Sequence, residues 1–255
     1  MQKLMVAAFA ATAALLLSQP ARSAATVAHL VPRAEGWLVK SYGEIDVPAP
    51  PKDAAAELGE LEVIVAKRTP EDVARFHWWA AGGPVYRWNE IILDELLDNF
   101  VTLPLAARHL ALFHAALDDA VAASWYHRKS ATRPPPVAAD PSVKTPIKAA
   151  AGSSFPSDYA AAATAAAEVL GYIFPARASA FAAIAEEAMQ ARLLAGVEYP
   201  SDVVAGRAIG QRIAALAIAQ GKSDQSEAKW TRPLERCKSD RTARRDVETL
   251  GPGAC

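Results

Sequence analysis

The sequence has few cysteines, no block of like charge and no long apolar run, and each shortage narrows the possibilities. Its two cysteines, Cys237 and Cys255, allow one disulfide, which would close the C-terminal tail in an oxidising compartment; two free thiols are the alternative. The 27 basic and 28 acidic residues give a formal net charge of −1 without a basic block. This balance argues against nucleic acid as a partner.

The N-terminus carries the strongest apolar run, over Leu4 to Leu17, but its 14 residues fall short of the roughly 20 that a membrane-spanning helix needs. The run follows a short positive segment, and Ala21-Arg22-Ser23 or Ser23-Ala24-Ala25 suits a cleavage site. This pattern predicts a secretory signal peptide over residues 1–25, and no cysteine follows the run to carry a lipid. We therefore expect a periplasmic or secreted mature chain that does not span a membrane.

The rest of the chain lacks the alternating pattern of half-buried strands and shows helical periodicity instead. We predict an all-α, single-domain helical bundle over residues 26–222, with a polar tail over 223–255. Residues 130–152 are rich in proline and predict a long loop. Seven helices are predicted, over about residues 53–67, 69–80, 87–100, 103–129, 157–171, 175–195 and 200–221.

The stretch 153–206 concentrates the candidate functional residues. Pro156-Ser157-Asp158 and Pro200-Ser201-Asp202 each begin a helix, and helix N-termini favour anions. Arg192 continues the apolar stripe of the helix between them, so it needs an anionic partner or must reach solvent from the helix end. Ser157 can instead cap its own helix, and Asp202 can simply complement the helix dipole. Taken together, these residues predict an oxyanion site.

These residues resemble three motifs of the superfamily that unites type 2 phosphatidic-acid phosphatases, bacterial acid phosphatases and vanadium-dependent haloperoxidases. The family motifs are Lys-x6-Arg-Pro, Pro-Ser-Gly-His and Ser-Arg-x5-His-x3-Asp. Arg133-Pro134 matches the end of the first, Phe155 to Ala160 falls on the second, and Ala191 to Asp202 falls on the third with its spacing intact. The resemblance covers about Leu58 to Gly221 and is strongest to the haloperoxidase-like bacterial branch. It implies an acid phosphatase/haloperoxidase-like fold in which Arg133, Ser157 and Arg192 converge on an oxyanion.

The departures from these motifs fall on the residues that carry out the family's chemistry. Glu198 stands where the family has its nucleophilic or axial His, Tyr159 where it has its acid His, and Asp158 where it has Gly. Tyr126 replaces the Lys of the first motif, for which Arg128 or Lys129 could substitute only in a shifted register. All five histidines precede residue 130, so none can replace the missing ones by a small shift in alignment. We expect Glu198 or Asp158 to pair with Arg133 or Arg192 and take the anion's place.

The resemblance and its departures together suggest a degenerate, non-catalytic member of the superfamily with a remnant pocket for a small phosphate-like anion, or with an unknown partner. One alternative is an active phosphoric-ester hydrolase with Glu198 as nucleophile and Tyr159 as acid. A second is metal-dependent or acid/base chemistry by Glu198 and Asp202. We predict no metal or cofactor. Vanadate, which the family resemblance suggests, is disfavoured because the family holds it through the missing His.

Overall fold

The computed structural model describes residues 34–149 and 151–226. The predicted signal peptide and both cysteines lie outside these residues. The chain divides after Ser223 into two units, of which the second is described only over residues 224–226. None of the described helices is both long enough and apolar enough to cross a membrane.

The described residues form eight α-helices and no strand, which confirms the all-α class. Each of the seven predicted helices is present within three residues of its expected ends. The eighth is a single turn inside the predicted loop. In chain order they are α1 (Ala55–Ala66), α2 (Pro70–Ala80), α3 (Tyr86–Asp98), α4 (Leu103–Arg128), α5 (Pro136–Ala139), α6 (Asp158–Ile173), α7 (Ala178–Leu194) and α8 (Pro200–Ser223).

Helix α6 lies at the centre of the bundle and packs against α4, α7 and α8. Its alanines from Ala160 to Ala166 are fully inaccessible to solvent. Small side chains let neighbouring backbones approach closely, and α8 supplies glycines at the contact. A Cβ added to Gly206 would lie 2.2 Å from the carbonyl oxygen of Ser157, and one added to Gly210 would lie 2.5 Å from that of Ala161. Glycine is therefore required sterically at both positions.

This contact brings together the N-terminal ends of α6 and α8. The Ser157 N–H donates to the Asp202 carbonyl oxygen over 3.0 Å, so the two predicted Pro-Ser-Asp helix starts are joined directly. The expectation that the two helix starts meet is confirmed. The residues of the second and third sequence motifs are consequently held in one rigid region.

The segment before α1 is tied to α4 by a buried carboxylate. Asp119 accepts hydrogen bonds from the N–H groups of Trp37 and Leu38 over 2.9 and 2.7 Å, and from the Tyr42 hydroxyl over 3.0 Å. The described part of the segment before α1 is thus packed against the bundle, with a 3₁₀ turn at Tyr42–Glu44.

The close approach of α6 and α8 predicts a specific sensitivity to small-to-large changes. Gly210→Ala should destabilise the fold by about 1–3 kcal/mol, because the new methyl group would overlap the α6 backbone. Gly59→Ala is the matched control, since a Cβ there meets nothing within 4 Å and should stabilise helix α1 by up to about 1 kcal/mol. Urea denaturation measures both changes. Equal stability of Gly210→Ala and the unaltered protein would contradict the contact.

Candidate active-site remnant

Ser157 is the N-cap of helix α6. Its hydroxyl accepts a hydrogen bond from the Ala160 N–H over 3.0 Å, and the residue is completely buried. The hydroxyl therefore satisfies one of the free N–H groups at the helix start, as N-cap residues do. This is the local role that the sequence left open beside oxyanion binding.

Arg192, near the end of α7, forms a buried ion pair with Glu198 in the turn before α8. Arg192 Nε lies 3.0 Å from Glu198 Oε1, and the two residues are only 6% and 2% exposed. Burial, the largest single effect, lowers the pKa of Arg192, but Glu198, Tyr159 and Asp158 together outweigh it and the pKa is raised. The predicted need of Arg192 for a carboxylate partner is confirmed, and that partner is Glu198.

Tyr159 packs its ring against the same arginine. The Arg192 guanidinium carbon lies 3.9 Å from the centre of the Tyr159 ring, within the range of a cation–π contact. Burial raises the pKa of the Tyr159 hydroxyl, and the nearby carboxylates raise it further against the opposing effect of Arg192. Tyr159 is therefore a weaker proton donor at neutral pH than an ordinary tyrosine.

Asp158 pairs with Arg128, not with Arg133 or Arg192. Arg128 Nη2 lies 3.2 Å from Asp158 Oδ1, and Trp125 donates to Asp158 Oδ2 over 2.9 Å. Burial, the largest single effect, raises the pKa of Asp158, but Arg128, Trp125 and the charge of Arg192 together outweigh it and the pKa is lowered. From the sequence, Arg128 is expected only as a substitute for the lysine of the first motif, in a shifted register. The structure places it beside the second motif.

Arg133 is held by a carboxylate that the sequence did not indicate. It pairs through Nη2 with Glu57 Oε2, its guanidinium stacks over Tyr199 at 4.1 Å, and its Nε lies 3.5 Å from Asp202 Oδ1. Glu57 also accepts hydrogen bonds from the N–H and hydroxyl of Ser201, over 2.8 and 3.0 Å. The expected partners of Arg133, Glu198 and Asp158, are both used elsewhere. The helical pattern of α1 predicts that its leucines face the core but does not indicate that Glu57 also does.

Asp202 is completely buried in the first turn of α8, where its Oδ2 accepts the Tyr199 N–H over 2.9 Å. Its Oδ1 has no hydrogen-bond donor. Burial raises the pKa of Asp202 to about 6, with a further contribution from the charge of Glu198. Asp202 thus carries a charge at neutral pH at an energetic cost.

The two motif arginines open onto different cavities, contrary to the expectation that they converge. Arg192 lines a cavity of about 320 Å³ that Arg133 does not line. Arg133 lines a second cavity, of about 560 Å³, that Arg192 does not line. The first, here called the Arg192 cavity, is lined by Ala80, Arg128, Ile147, Lys148, Ala149, Asp158, Tyr159 and Arg192.

Neither a histidine nor a metal-binding cluster completes the Arg192 cavity. No histidine is among its lining residues, and His127 lines the second cavity with its Nε2 3.0 Å from the Tyr42 carbonyl oxygen. Within residues 34–149 and 151–226, no three His, Cys, Asp or Glu side chains are grouped to hold a metal ion. The chemistry available at the Arg192 cavity is therefore that of arginine, lysine, tyrosine and a paired aspartate.

Comparison with known proteins relates the residues of this site to a known superfamily. The model of the PAP2 superfamily matches residues 112–225. These residues form a PAP2-superfamily domain. All three motif remnants lie inside it, whereas Glu57 lies outside it. No curated protein sequence matches the chain significantly.

One similar solved structure supports this assignment at the level of the fold. The crystal structure of a bacterial vanadium-dependent iodoperoxidase aligns over 71% of this chain with a TM-score of 0.63 and 15% identity. The alignment spans only 54% of the iodoperoxidase. A transmembrane PAP2-type phosphatidylglycerolphosphate phosphatase from Bacillus subtilis aligns over 70% of this chain and 88% of its own, with 17% identity and a TM-score of 0.49.

The raised pKa of Asp202 predicts a pH-dependent stability. The folded protein holds this proton more tightly than the unfolded chain, so stability from this group is present below about pH 4 and is lost as pH rises to about 6. The difference between the ordinary pKa of 3.8 and a pKa of about 6 corresponds to about 3 kcal/mol of unfolding free energy. The difference in unfolding free energy between the unaltered protein and Asp202→Asn should fall by about that amount between pH 4 and pH 7.

Urea denaturation at a series of pH values measures this difference and cancels the contributions of other groups. Asp98→Asn is the control, because Asp98 is exposed at the end of α3 and should show a difference that does not vary with pH. A flat difference for Asp202→Asn would contradict the burial of an ionised Asp202.

Proposed function

We propose that this PAP2-superfamily domain is non-catalytic and that its Arg192 cavity binds a small phosphate-like anion without hydrolysing its ester. The observation that carries the proposal is the buried ion pair between Arg192 and Glu198. Glu198 occupies the sequence position of the family's nucleophilic His. A carboxylate held in a buried ion pair with Arg192 is not free to attack a phosphoryl group in the cavity.

The lining of the Arg192 cavity supports the loss of catalysis. Glu198 is not among the lining residues, so its carboxylate does not face a ligand in the cavity. Tyr159 lines the cavity, but its raised pKa makes it a poor general acid near neutral pH. The proposed protein thus lacks both a nucleophile and an efficient proton donor.

Anion binding is supported by the charges that remain in the cavity. Three cations, Arg128, Lys148 and Arg192, line the cavity together with one carboxylate, that of Asp158. Glu198, which does not line it, neutralises Arg192, so the balance is one positive charge. Lys148 is exposed and forms no ion pair in the described part of the chain, and Arg128 Nε is a buried donor without an acceptor. The volume of about 320 Å³ lies at the small end of ligand pockets, which span roughly 300–1,000 Å³. A compact anion fits these properties better than a lipid.

Vanadate does not fit this arrangement. Glu198 offers it a negative charge where a neutral imidazole nitrogen would be needed, and Arg192 is already neutralised. The residues of this cavity therefore do not support peroxidase chemistry with vanadate.

An active hydrolase is the second candidate. It is favoured by Glu198 Oε2, which is buried without a hydrogen-bond partner and is the oxygen that would attack phosphorus. It requires Glu198 to leave Arg192 and enter the cavity. The experiment below separates the two candidates.

The test is hydrolysis of p-nitrophenyl phosphate by the purified mature protein, with and without Mg²⁺. We expect no turnover in the unaltered protein or in Glu198→Gln, a variant that removes the charge but keeps the shape. The double variant Tyr159→His with Glu198→His should gain measurable activity, since positioned general acids and bases contribute about 10²–10⁴-fold. Exposed Glu60→Gln is the matched control.

Anion binding is measured by calorimetric titration with inorganic phosphate, which Arg128→Gln should weaken at least tenfold. Hydrolysis by the unaltered protein that disappears in Glu198→Gln would refute the non-catalytic proposal and favour the hydrolase.

A further inference from the structure

Helix α1 is attached to the bundle through an unusual pair of anchors. Of its 12 residues only Glu57 and Leu61 are buried, one turn apart on the same side. A surface helix normally buries an apolar stripe that repeats along its whole length. Here one of the two buried anchors is a carboxylate, so the attachment of α1 depends on what that carboxylate binds.

The Glu57 carboxylate lies among donors that would hold any oxyanion. The Ser201 N–H and hydroxyl bind its two oxygens over 2.8 and 3.0 Å, and Arg133 Nη2 binds Oε2. Ser201 belongs to the first turn of α8, where unpaired N–H groups and the helix dipole favour negative charge. The Arg133 side chain is only 10% exposed and is fixed against Tyr199, and its Nε lies 3.5 Å from Asp202 Oδ1.

The cluster borders a cavity at Arg133, whereas Glu57 and Ser201 do not line that cavity. The 560 Å³ cavity is lined by Arg133 and also by Pro51, Lys52 and Ala54, the residues that lead directly into α1. A ligand that reaches Arg133 through the cavity therefore touches the segment that carries Glu57. Lys52 adds a positive charge at the same wall.

We propose that Arg133 and the first turn of α8 form a second oxyanion site, separate from the Arg192 cavity, and that Glu57 is its displaceable internal occupant. An inorganic oxyanion, or the acid group of a small molecule in the 560 Å³ cavity, exchanges with Glu57. Once the carboxylate leaves, Leu61 is the remaining buried anchor of α1, and the N-terminal turn of that helix separates from α8. The site is thus latched by α1 and opened by an anion.

The latch predicts that the unaltered protein binds anions weakly at this site. Glu57 competes as part of the same chain, and tethered groups act at effective concentrations in the millimolar range or above. Removing its charge should remove this competition. The proposal does not depend on whether the Arg192 cavity binds an anion or supports catalysis.

The main test is the thermal midpoint of Glu57→Gln as a function of inorganic phosphate at constant ionic strength. Gln keeps an acceptor for the Ser201 N–H but removes the shorter of the two ion pairs of Arg133, so that only Asp202, 3.5 Å from its Nε, remains as a counter-charge. Phosphate at 100 times its Kd should raise the midpoint of Glu57→Gln by about 5–10 °C, and that of the unaltered protein by much less. Glu60→Gln, exposed on the same helix, is the matched control and should behave like the unaltered protein.

Two further variants assign the bound phosphate to one site. In the Glu57→Gln background, Arg133→Gln should abolish the added phosphate effect, and Arg128→Gln should preserve it. If Glu57→Gln gains no more from phosphate than Glu60→Gln, the latch is refuted. If Arg128→Gln rather than Arg133→Gln removes the gain, phosphate binds in the Arg192 cavity and the latch is again refuted, while the proposed function stands.

Amide hydrogen exchange tests the unaltered protein directly, whatever the stability of the variants. Saturating phosphate should accelerate exchange in α1 relative to sodium chloride of equal ionic strength and leave α3 unchanged. Unchanged exchange in α1 under these conditions would contradict displacement of Glu57.

Discussion

The contact between helices α6 and α8 is the constraint on which the rest of the site depends. Gly206 and Gly210 let the α8 backbone touch that of α6, and the Ser157 N–H then reaches the Asp202 carbonyl oxygen. The contact fixes two helix N-termini side by side. Their dipoles create a region of positive potential before any side chain is considered, and this region must be filled by anions, either from solvent or from the chain itself.

The chain fills it with its own carboxylates. Glu198 forms an ion pair with Arg192, Asp158 with Arg128, and Glu57 with Arg133. A buried arginine without a partner would cost several kcal/mol, so each pairing avoids a large penalty. The result is a PAP2-superfamily domain whose positive groups are largely neutralised from within, and whose pocket is divided into two cavities.

Much of the fold was predictable because it rests on local signals. The helix predicted over residues 69–80 begins as expected because Thr69, Pro70 and Asp72 suit the N-cap, first and third positions of a helix, and the structure shows the complete capping box there. The pairing of Arg192 was also predictable, since an arginine on an apolar helical stripe requires a nearby acid, and Glu198 follows six residues later.

The remainder of the site depends on contacts distant in sequence. Glu57 and Arg133 are 76 residues apart, and the apolar pattern of α1 gave no reason to bury its only inward-facing acid. The two cavities were equally hidden, because residues 47–54 form a wall that only the folded chain places beside Arg133. Spacing within a motif indicates which residues share a helix end, but not which distant segment covers them.

The paired arginines also show why an arginine that matches a motif is weak evidence for a ligand in such a domain. Once a buried arginine has a carboxylate partner, removing either member leaves an uncompensated charge and destabilises the fold. Arg133 and Arg192 therefore have a structural role whether or not an anion binds. Evidence for a ligand must come from groups that the fold leaves unsatisfied. Arg128 Nε, buried without an acceptor, and the exposed Lys148 meet that criterion at the Arg192 cavity. At the second cavity, Arg133 Nε already lies 3.5 Å from Asp202 Oδ1, and the Glu57 carboxylate occupies donors that would also hold an external oxyanion.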